Sequence, residues 1–168
     1  MYINKRWYVL YTMPNAEKNV RDRLLKKNLE VFLPLRTKIV QRCDRKKKIQ
    51  TPLFPGYVFT KLKISEFHDV YEVSGFLRFL STNGKKDVVP DEEIETIKVL
   101  LRGEPSICAQ KLELGENVKI SNGPFAGLEG QLMSYKGEKR LIVLLNSIQQ
   151  SVMLEIGEEV LECSEYVS

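Results

Sequence analysis

The sequence is poor in the residues that build metal centres, disulfide frameworks and acid–base catalysts. It has a single histidine, His68, and three widely separated cysteines: Cys43, Cys108 and Cys163. An odd, sparse set of cysteines is a poor disulfide framework, and a zinc site needs about four N, S or O ligands. We therefore expect reduced thiols, no metal and no cofactor.

Long apolar runs are also missing. The sequence has no window of about 18 consecutive apolar residues, the minimum for a membrane-spanning helix. The first six residues, Met1 to Arg6, do not form the apolar stretch of a signal peptide and lead directly into a strand-like segment. The composition, 43% hydrophobic and 29% charged, is ordinary for a globular protein. We expect a protein of the cytoplasm.

Signatures of catalysis are absent too. There is no GxxxxGK[ST] phosphate-binding loop, no nucleophile elbow and no set of residues that resembles a Ser/His/Asp triad. The stretch 123–130 is rich in glycine, but it lies within a strand-like pattern, whereas a phosphate cradle needs the amides of a following helix. We expect a protein that is not an enzyme.

The charge is divided unevenly along the chain, whose net charge is +4. Residues 1–107 carry 21 Lys or Arg against 13 Asp or Glu, a net charge of +8, and residues 108–168 carry 5 against 9, a net charge of −4. A basic half joined to an acidic half suggests two functions, with the basic half near a polyanion. An ordinary solvated charged surface is the alternative.

The first part of the chain alternates strand and helix signals. A helix is expected after the N-cap candidate Asn15, with Ala16, Val20 and Leu24 on one apolar stripe. A second helix is expected from Pro90 to Gly103. The predicted strands, hairpin tip and short helix are Trp7–Tyr11, 31–35, 41–48 (the charged tip), Tyr57–Lys63, Ser65–Tyr71 (the short helix) and Phe76–Leu80.

The remainder of the chain has only short strand patterns separated by turn signals, at 118–120, 130–135, 140–145 and 151–156. Several short strands of this kind indicate a small barrel. The charge changes sign near residues 103–112, where no periodic pattern is sustained. We therefore predict a domain over residues 1–105, a linker over 106–112 and a domain over 113–168.

Two of the predicted strands have apolar residues on both faces. Tyr57 and Phe59 face one way and Val58 and Leu62 the other, and Trp7–Tyr11 has the same character. A small antiparallel sheet usually presents one polar face to water. The second apolar face is either core, covered by a helix, or an aromatic surface for docking a partner.

Several of these segments resemble one known family. Trp7–Tyr11, Glu17 and the segment Pro52–Phe59 are similar to the N-terminal domain of NusG-type transcription elongation factors. The segments Gly115–Ile120 and Gly123–Gly130 resemble the KOW motif of the same family. The resemblance is greatest to the specialised RfaH- and UpxY-type paralogues. It implies an α+β protein, in which an N-terminal α/β sandwich (the NusG N-terminal domain) is joined by a linker to a small C-terminal KOW β-barrel.

The resemblance also implies partners and contact residues. The N-terminal domain would bind the clamp helices of the largest RNA polymerase subunit and suppress pausing or termination, acting as a monomer. The expected polymerase contacts are Tyr11, Phe54, Tyr57, Phe59, Ile94 and Ile97. Basic residues would lie near upstream or non-template DNA, namely Lys18, Arg21, Arg23, Arg42, Arg45, Lys46, Lys47 and Lys48. The KOW domain would bind a ribosomal protein or a termination factor through Phe125, Leu145 and Ile148.

Alternatives remain at this point. The six expected polymerase contacts could be ordinary core between sheet and helix, and Leu145 could be barrel core. The chain could be the housekeeping NusG factor rather than a specialised paralogue. It could also be a ribosome-associated KOW protein that binds RNA, although such a protein would be expected to have a basic barrel.

Overall fold

Strands make up most of the secondary structure and are divided between two units of the chain. The computed structural model describes residues 4–43, 45–107, 115–121, 123–135, 137–157 and 164–166, which form a mixed fold of mostly strands. Its α-helices are α1 Glu17–Lys26, α2 Phe67–Tyr71 and α3 Asp91–Leu100. Contacts divide the chain into Met1–Asp91 and Glu92–Ser168, so that the boundary falls one residue into α3. Within the described residues, no helix is long and apolar enough to cross a membrane.

The first unit is built on a five-stranded antiparallel sheet and two hairpins. Its strands are β1 Arg6–Thr12, β2 Glu30–Phe32, β3 Leu35–Arg42, β4 Arg45–Pro52, β5 Tyr57–Leu62, β6 Phe76–Phe79, β7 Ser81–Thr82, β8 Lys85–Lys86 and β9 Val88–Val89. The sheet order is β2-β5-β1-β6, and β9 also pairs with β1. β3 pairs with β4, and β7 with β8, as separate two-stranded ribbons.

β1 is buried on both faces, which explains its lack of polar alternation. Tyr8 and Leu10 belong to a cluster that includes Val20 and Leu24 of α1. Trp7 and Val9 lie on the opposite face and are buried as well. A strand with both faces in the core reads as a continuous apolar run.

Helix α1 begins later than the sequence pattern predicts. Asn15 has a φ of 60°, in the left-handed region, and is not the N-cap; the residue before the helix is Ala16, whose side chain makes no capping hydrogen bond. An N-cap residue normally has extended backbone, which Asn15 lacks. After the helix, Asn28 adopts the left-handed conformation that is typical just beyond a helix C-terminus.

One cross-link joins α1 to the turn before β5. Glu17, in the first turn of α1, is buried, and its Oε1 accepts a hydrogen bond from the backbone N–H of Gly56 at 2.8 Å. The carbonyl of Gly56 accepts a hydrogen bond from the N–H of Thr12 at 2.9 Å. Gly56 has a φ of 81°, a conformation that side chains disfavour. The glycine therefore fixes the turn to both α1 and β1.

A second cross-link fixes Asp91, the first residue of α3, to the sheet. The indole N–H of Trp7 and the Nζ of Lys61 both donate to Asp91 Oδ1, at 2.9 Å and 2.8 Å. The hydrogen bond from Lys61 to Asp91 raises the pKa of the amine above its usual value. The stabilisation is therefore complete below the ordinary lysine pKa and is lost as pH rises through the raised pKa.

The second unit contains α3, except for Asp91, and a six-stranded sheet. Its strands are β10 Ser106–Ile107, β11 Asn117–Ile120, β12 Glu129–Tyr135, β13 Glu138–Leu145, β14 Gln150–Glu155 and β15 Ser164–Tyr166, in the order β10-β14-β13-β12-β11-β15. The four strands predicted from the pattern are confirmed to within two residues at each end. β10 lies inside the segment predicted as a linker, and residues 108–112 of that segment lie outside the described residues. Among the described strands no pairing closes the sheet.

The Glu17–Gly56 cross-link can be tested by its effect on stability. Glu17→Ala leaves the partly buried N–H of Gly56 without its acceptor, so we expect the free energy of unfolding to fall by ~1.5–3 kcal/mol. Glu17→Gln retains an acceptor oxygen and should lose less. Trp7 is the one tryptophan in the sequence, so its fluorescence during urea titration reports the unfolding of the first unit.

Asp22→Ala is the matched control on the same helix, because Asp22 makes only an exposed ion pair with Arg21. If Glu17→Ala unfolds at the same urea concentration as Asp22→Ala, the cross-link does not stabilise the unit.

Candidate functional site

Two tyrosines lie side by side at one end of the central sheet. Tyr11 of β1 and Tyr57 of β5 are register partners, and their ring centroids are 4.9 Å apart with the planes tilted by 54°. Both side chains are half-buried. This tyrosine pair is a partly accessible aromatic surface.

Four of the six expected polymerase contacts are buried instead of forming a surface. Phe54 and Phe59 are 1% and 0% exposed, and their rings are 6.2 Å apart. Phe59 also packs against Phe32 at 6.0 Å, which shows why these rings are core. Ile94 and Ile97 are 1% and 0% exposed, on the buried stripe of α3. These four side chains are therefore buried and not part of an exposed patch in this structure, and their contact with a partner stays a prediction.

The turn before β5 holds Tyr57 in place. The N–H of Leu53 donates to the carbonyl of Pro34 at 2.8 Å, and the N–H of Tyr57 donates to the carbonyl of Phe54 at 3.1 Å. Glu17 fixes Gly56 between them. A fixed turn lowers the entropy that the tyrosine pair would lose on binding.

The β3–β4 hairpin presents the largest group of free-standing cations in the predicted basic set. Arg45, Lys46, Lys47 and Lys48 are all exposed on β4. Arg42 faces Arg45 across the turn in the strand register, although its side chain lies outside the described ones. Like charges gathered on one exposed ribbon produce a positive potential suited to a polyanion.

The predicted basic residues of α1 are placed differently. Lys18 is exposed, but its Nζ donates to the carbonyl of Gln50 at 2.7 Å and so ties the helix to the hairpin. Arg21 forms an ion pair with Asp22 at 2.8 Å, and Arg23 donates to the carbonyl of Ser74. These three side chains have structural partners that the hairpin cations lack in the described structure.

The predicted contact set of the second unit is also divided. Leu145 and Ile148 are 1% and 3% exposed, so they present little surface in this structure, and their role in a partner contact stays a prediction. Phe125 is half-buried, in the turn that follows Gly123. Its neighbour in space is Gly103, where an added Cβ would lie 3.0 Å from the ring. Leu144, which the sequence reasoning missed, is exposed because it alternates with Leu145 along β13.

Arg78 is a further residue that sequence reasoning missed. It lies on β6 opposite Tyr11, and its guanidinium carbon is 5.0 Å from the centroid of the Tyr11 ring. No sequence signal could have paired the two, because their proximity depends on the register of β6 against β1.

Comparisons with known proteins agree with this arrangement. The family model described as "Transcription termination factor nusG" matches residues 5–98, more than half of the chain. The transcription termination/antitermination protein NusG of Staphylococcus carnosus is 26% identical, covering 94% of this chain and 95% of the relative. Its counterpart from Pseudomonas aeruginosa is 28% identical, covering 92% and 97%. A solved structure of NusG from Thermotoga maritima is similar with a TM-score of 0.60 at 25% identity, covering 98% of each chain.

These matches define a class of transcription termination/antitermination factors, which are transcription factors and not enzymes. The chain belongs to the NusG family. The resemblance seen in the sequence is confirmed at this level, and so is the expectation that the protein is not an enzyme. The matched segment includes the tyrosine pair and the basic hairpin.

The difference in burial between Phe54 or Phe59 and Tyr57 predicts different losses of folding stability on mutation. We expect Phe54→Ala and Phe59→Ala each to lower the free energy of unfolding by ~3–5 kcal/mol, because both remove a buried ring. Tyr57→Ala, at a half-buried position, should cost clearly less. Denaturant titrations followed by Trp7 fluorescence give the comparison. Equal losses for Phe54→Ala and Tyr57→Ala would contradict the division of the six residues.

Proposed function

We propose that this chain is an elongation and antitermination factor that binds RNA polymerase and suppresses pausing or termination, as a specialised, operon-specific member of its family. The observation that supports this most directly is the family match over residues 5–98, the segment that contains both the tyrosine pair and the basic hairpin. The protein acts by binding alone, in the cytoplasm and as a monomer.

The proposed polymerase contact is centred on the tyrosine pair. Tyr11 and Tyr57 are accessible, whereas Phe54 and Phe59 lie buried and support the end of the sheet. Ile94 and Ile97 are also buried, on α3. The partner surface is the tip of the clamp helices of the largest polymerase subunit. Aromatic residues held by a fixed turn are suited to the centre of such an interface.

The mechanism is a shift between states of the polymerase. A factor that binds the active state more tightly than the paused state moves the equilibrium towards the active state by its difference in affinity. The protein needs no reacting group for this effect. It needs a contact surface that discriminates between the two states, and a way to stay on the moving complex.

The basic hairpin is the proposed contact with upstream or non-template DNA. Its exposed cations are Arg45, Lys46, Lys47 and Lys48, with Arg42 at the turn. Contacts to phosphates are sensitive to salt and carry little sequence information. Lys18, Arg21 and Arg23 are proposed to add to the same positive face while keeping their structural partners.

The second unit is the proposed site for other machinery. We propose that residues 113–168 form a KOW β-barrel; five of the six strands of this sheet, β11 to β15, lie within those boundaries. The partner is a ribosomal protein or a termination factor, with half-buried Phe125 as the contact. Residues 108–168 have a net charge of −4, which disfavours the alternative of a ribosome-associated KOW protein that binds RNA.

The housekeeping NusG role is the second candidate, because both roles use the same polymerase contact. The amino-acid sequence of the Pro52–Phe59 segment, which resembles the specialised paralogues, supports the specialised role. A long surface-polysaccharide operon directly downstream of the gene would distinguish the two.

The tyrosine pair should be necessary for polymerase binding. We expect Tyr57→Ala to weaken the affinity for core RNA polymerase by about tenfold or more, about 1.4 kcal/mol, while the first unit stays folded. Tyr71→Ala is the matched control, because Tyr71 is 57% exposed on α2, away from the pair. Titration of labelled protein with polymerase measures both. Wild-type affinity in a folded Tyr57→Ala variant would exclude the pair as the contact.

The hairpin should account for part of the salt dependence of binding to a transcription complex. Replacing Arg42, Arg45, Lys46, Lys47 and Lys48 with Ser removes five potential phosphate contacts, so the plot of log affinity against log salt should become flatter. Binding to polymerase without nucleic acid should change little. Two exposed lysines outside the hairpin, Lys26 and Lys85, provide the control substitutions. An unchanged slope would mean that the hairpin charges do not face DNA.

A further inference from the structure

Arg78 is an exposed cation held in a fixed position beside the tyrosine pair. β6 pairs with β1 so that Arg78 lies opposite Tyr11, and its guanidinium stacks at 5.0 Å from the ring centroid. The side chain is exposed. A guanidinium stacked on an aromatic ring loses less freedom on binding than a lysine does, and it presents planar N–H donors to a partner.

The charge of Arg78 is not neutralised within the part of the chain that the structure describes. No carboxylate there forms an ion pair with it, and it has no hydrogen-bond partner there. Other cations of the same unit differ: Lys27 lies 2.7 Å from Glu72, and Lys61 lies 2.8 Å from Asp91. Arg78 is thus an oriented cation whose donors remain available to a second molecule.

The surroundings favour an acidic protein side chain over a nucleic acid as the ligand. β1 lies between β5 and β6 in the sheet, so Tyr57 and Arg78 flank Tyr11 from opposite sides. A base would need a free face of Tyr11 for stacking, and both neighbouring positions are occupied. What remains accessible is a guanidinium next to the edges of two tyrosine rings. That combination suits a carboxylate with apolar neighbours.

We propose that Arg78 binds a carboxylate of the polymerase segment that packs on the tyrosine pair, and that this ion pair sets the orientation of the contact. The proposal rests on the polymerase contact proposed above. The tyrosines supply apolar area, and Arg78 supplies the directional bond. A bidentate Arg–carboxylate pair fixes the angle between its partners as well as their distance.

The test is binding of Arg78 variants to core RNA polymerase without nucleic acid, over a range of salt concentrations. We expect Arg78→Glu to weaken binding by tenfold or more, since it places like charges together, and Arg78→Gln to weaken it less. Arg78→Lys should restore only part of the affinity, because it lacks the fork of donors. Lys85→Glu makes the same charge change at an exposed position on β8. Trp7 fluorescence confirms that each variant is folded.

The outcomes separate the two proposals. If the wild type, Lys85→Glu and Arg78→Glu all bind the polymerase with the same affinity, the proposed ion pair of Arg78 is wrong. The proposed polymerase contact would then still stand. If Arg78→Glu loses affinity for a nucleic-acid scaffold and not for the polymerase, the ligand is a phosphate and the carboxylate is wrong. If the wild-type protein does not bind the polymerase, both proposals fail.

Discussion

The hydrogen bond between Glu17 and the N–H of Gly56 is the constraint on which the arrangement of the first unit depends. It joins the start of α1 to the turn that connects the basic hairpin with β5. Thr12 holds the other side of the same glycine. Because Gly56 immediately precedes Tyr57, the position of the tyrosine pair follows from this bond. A buried carboxylate here is structural, although an acidic residue on a helix would ordinarily be taken as surface.

The sequence predicted many of the longer strands, because apolar runs and glycine or proline turns are local signals. It did not predict the two-residue strands β7 to β10, and it took Arg45–Lys48, which belong to β4, for part of a turn. Which apolar residues are accessible depends instead on position in the assembled sheet. Phe59 and Tyr57 lie on the same face of β5 and look alike as a pattern, yet one is covered by rings around it and the other lies near the end of the sheet. In the same way, Leu144 is exposed and Leu145 is buried because consecutive residues of β13 point to opposite faces of the sheet.

Counting charges in the sequence likewise does not show which cations are free to bind a partner. The first part of the chain is basic, but many of its cations are held by nearby carboxylates or carbonyls, as Arg21 and Lys27 are. Those residues stabilise surface geometry and contribute little net potential. The exposed cations proposed to contact partners are the hairpin group and Arg78. They differ in kind: the hairpin offers a diffuse group of charges, whereas Arg78 is a single oriented fork.

The β3–β4 hairpin is long enough to place its charged turn far from its base. Each strand has eight residues, so the charged turn can lie ~27 Å along the ribbon from its base. That base joins the turn held by Glu17, close to the tyrosine pair. In the proposed complex, a bound tyrosine pair would confine the hairpin to a small volume, so that a weak contact with DNA would act at a high local concentration. The two proposed contacts together would then hold the protein more tightly than either alone, and either could dissociate briefly without release of the protein.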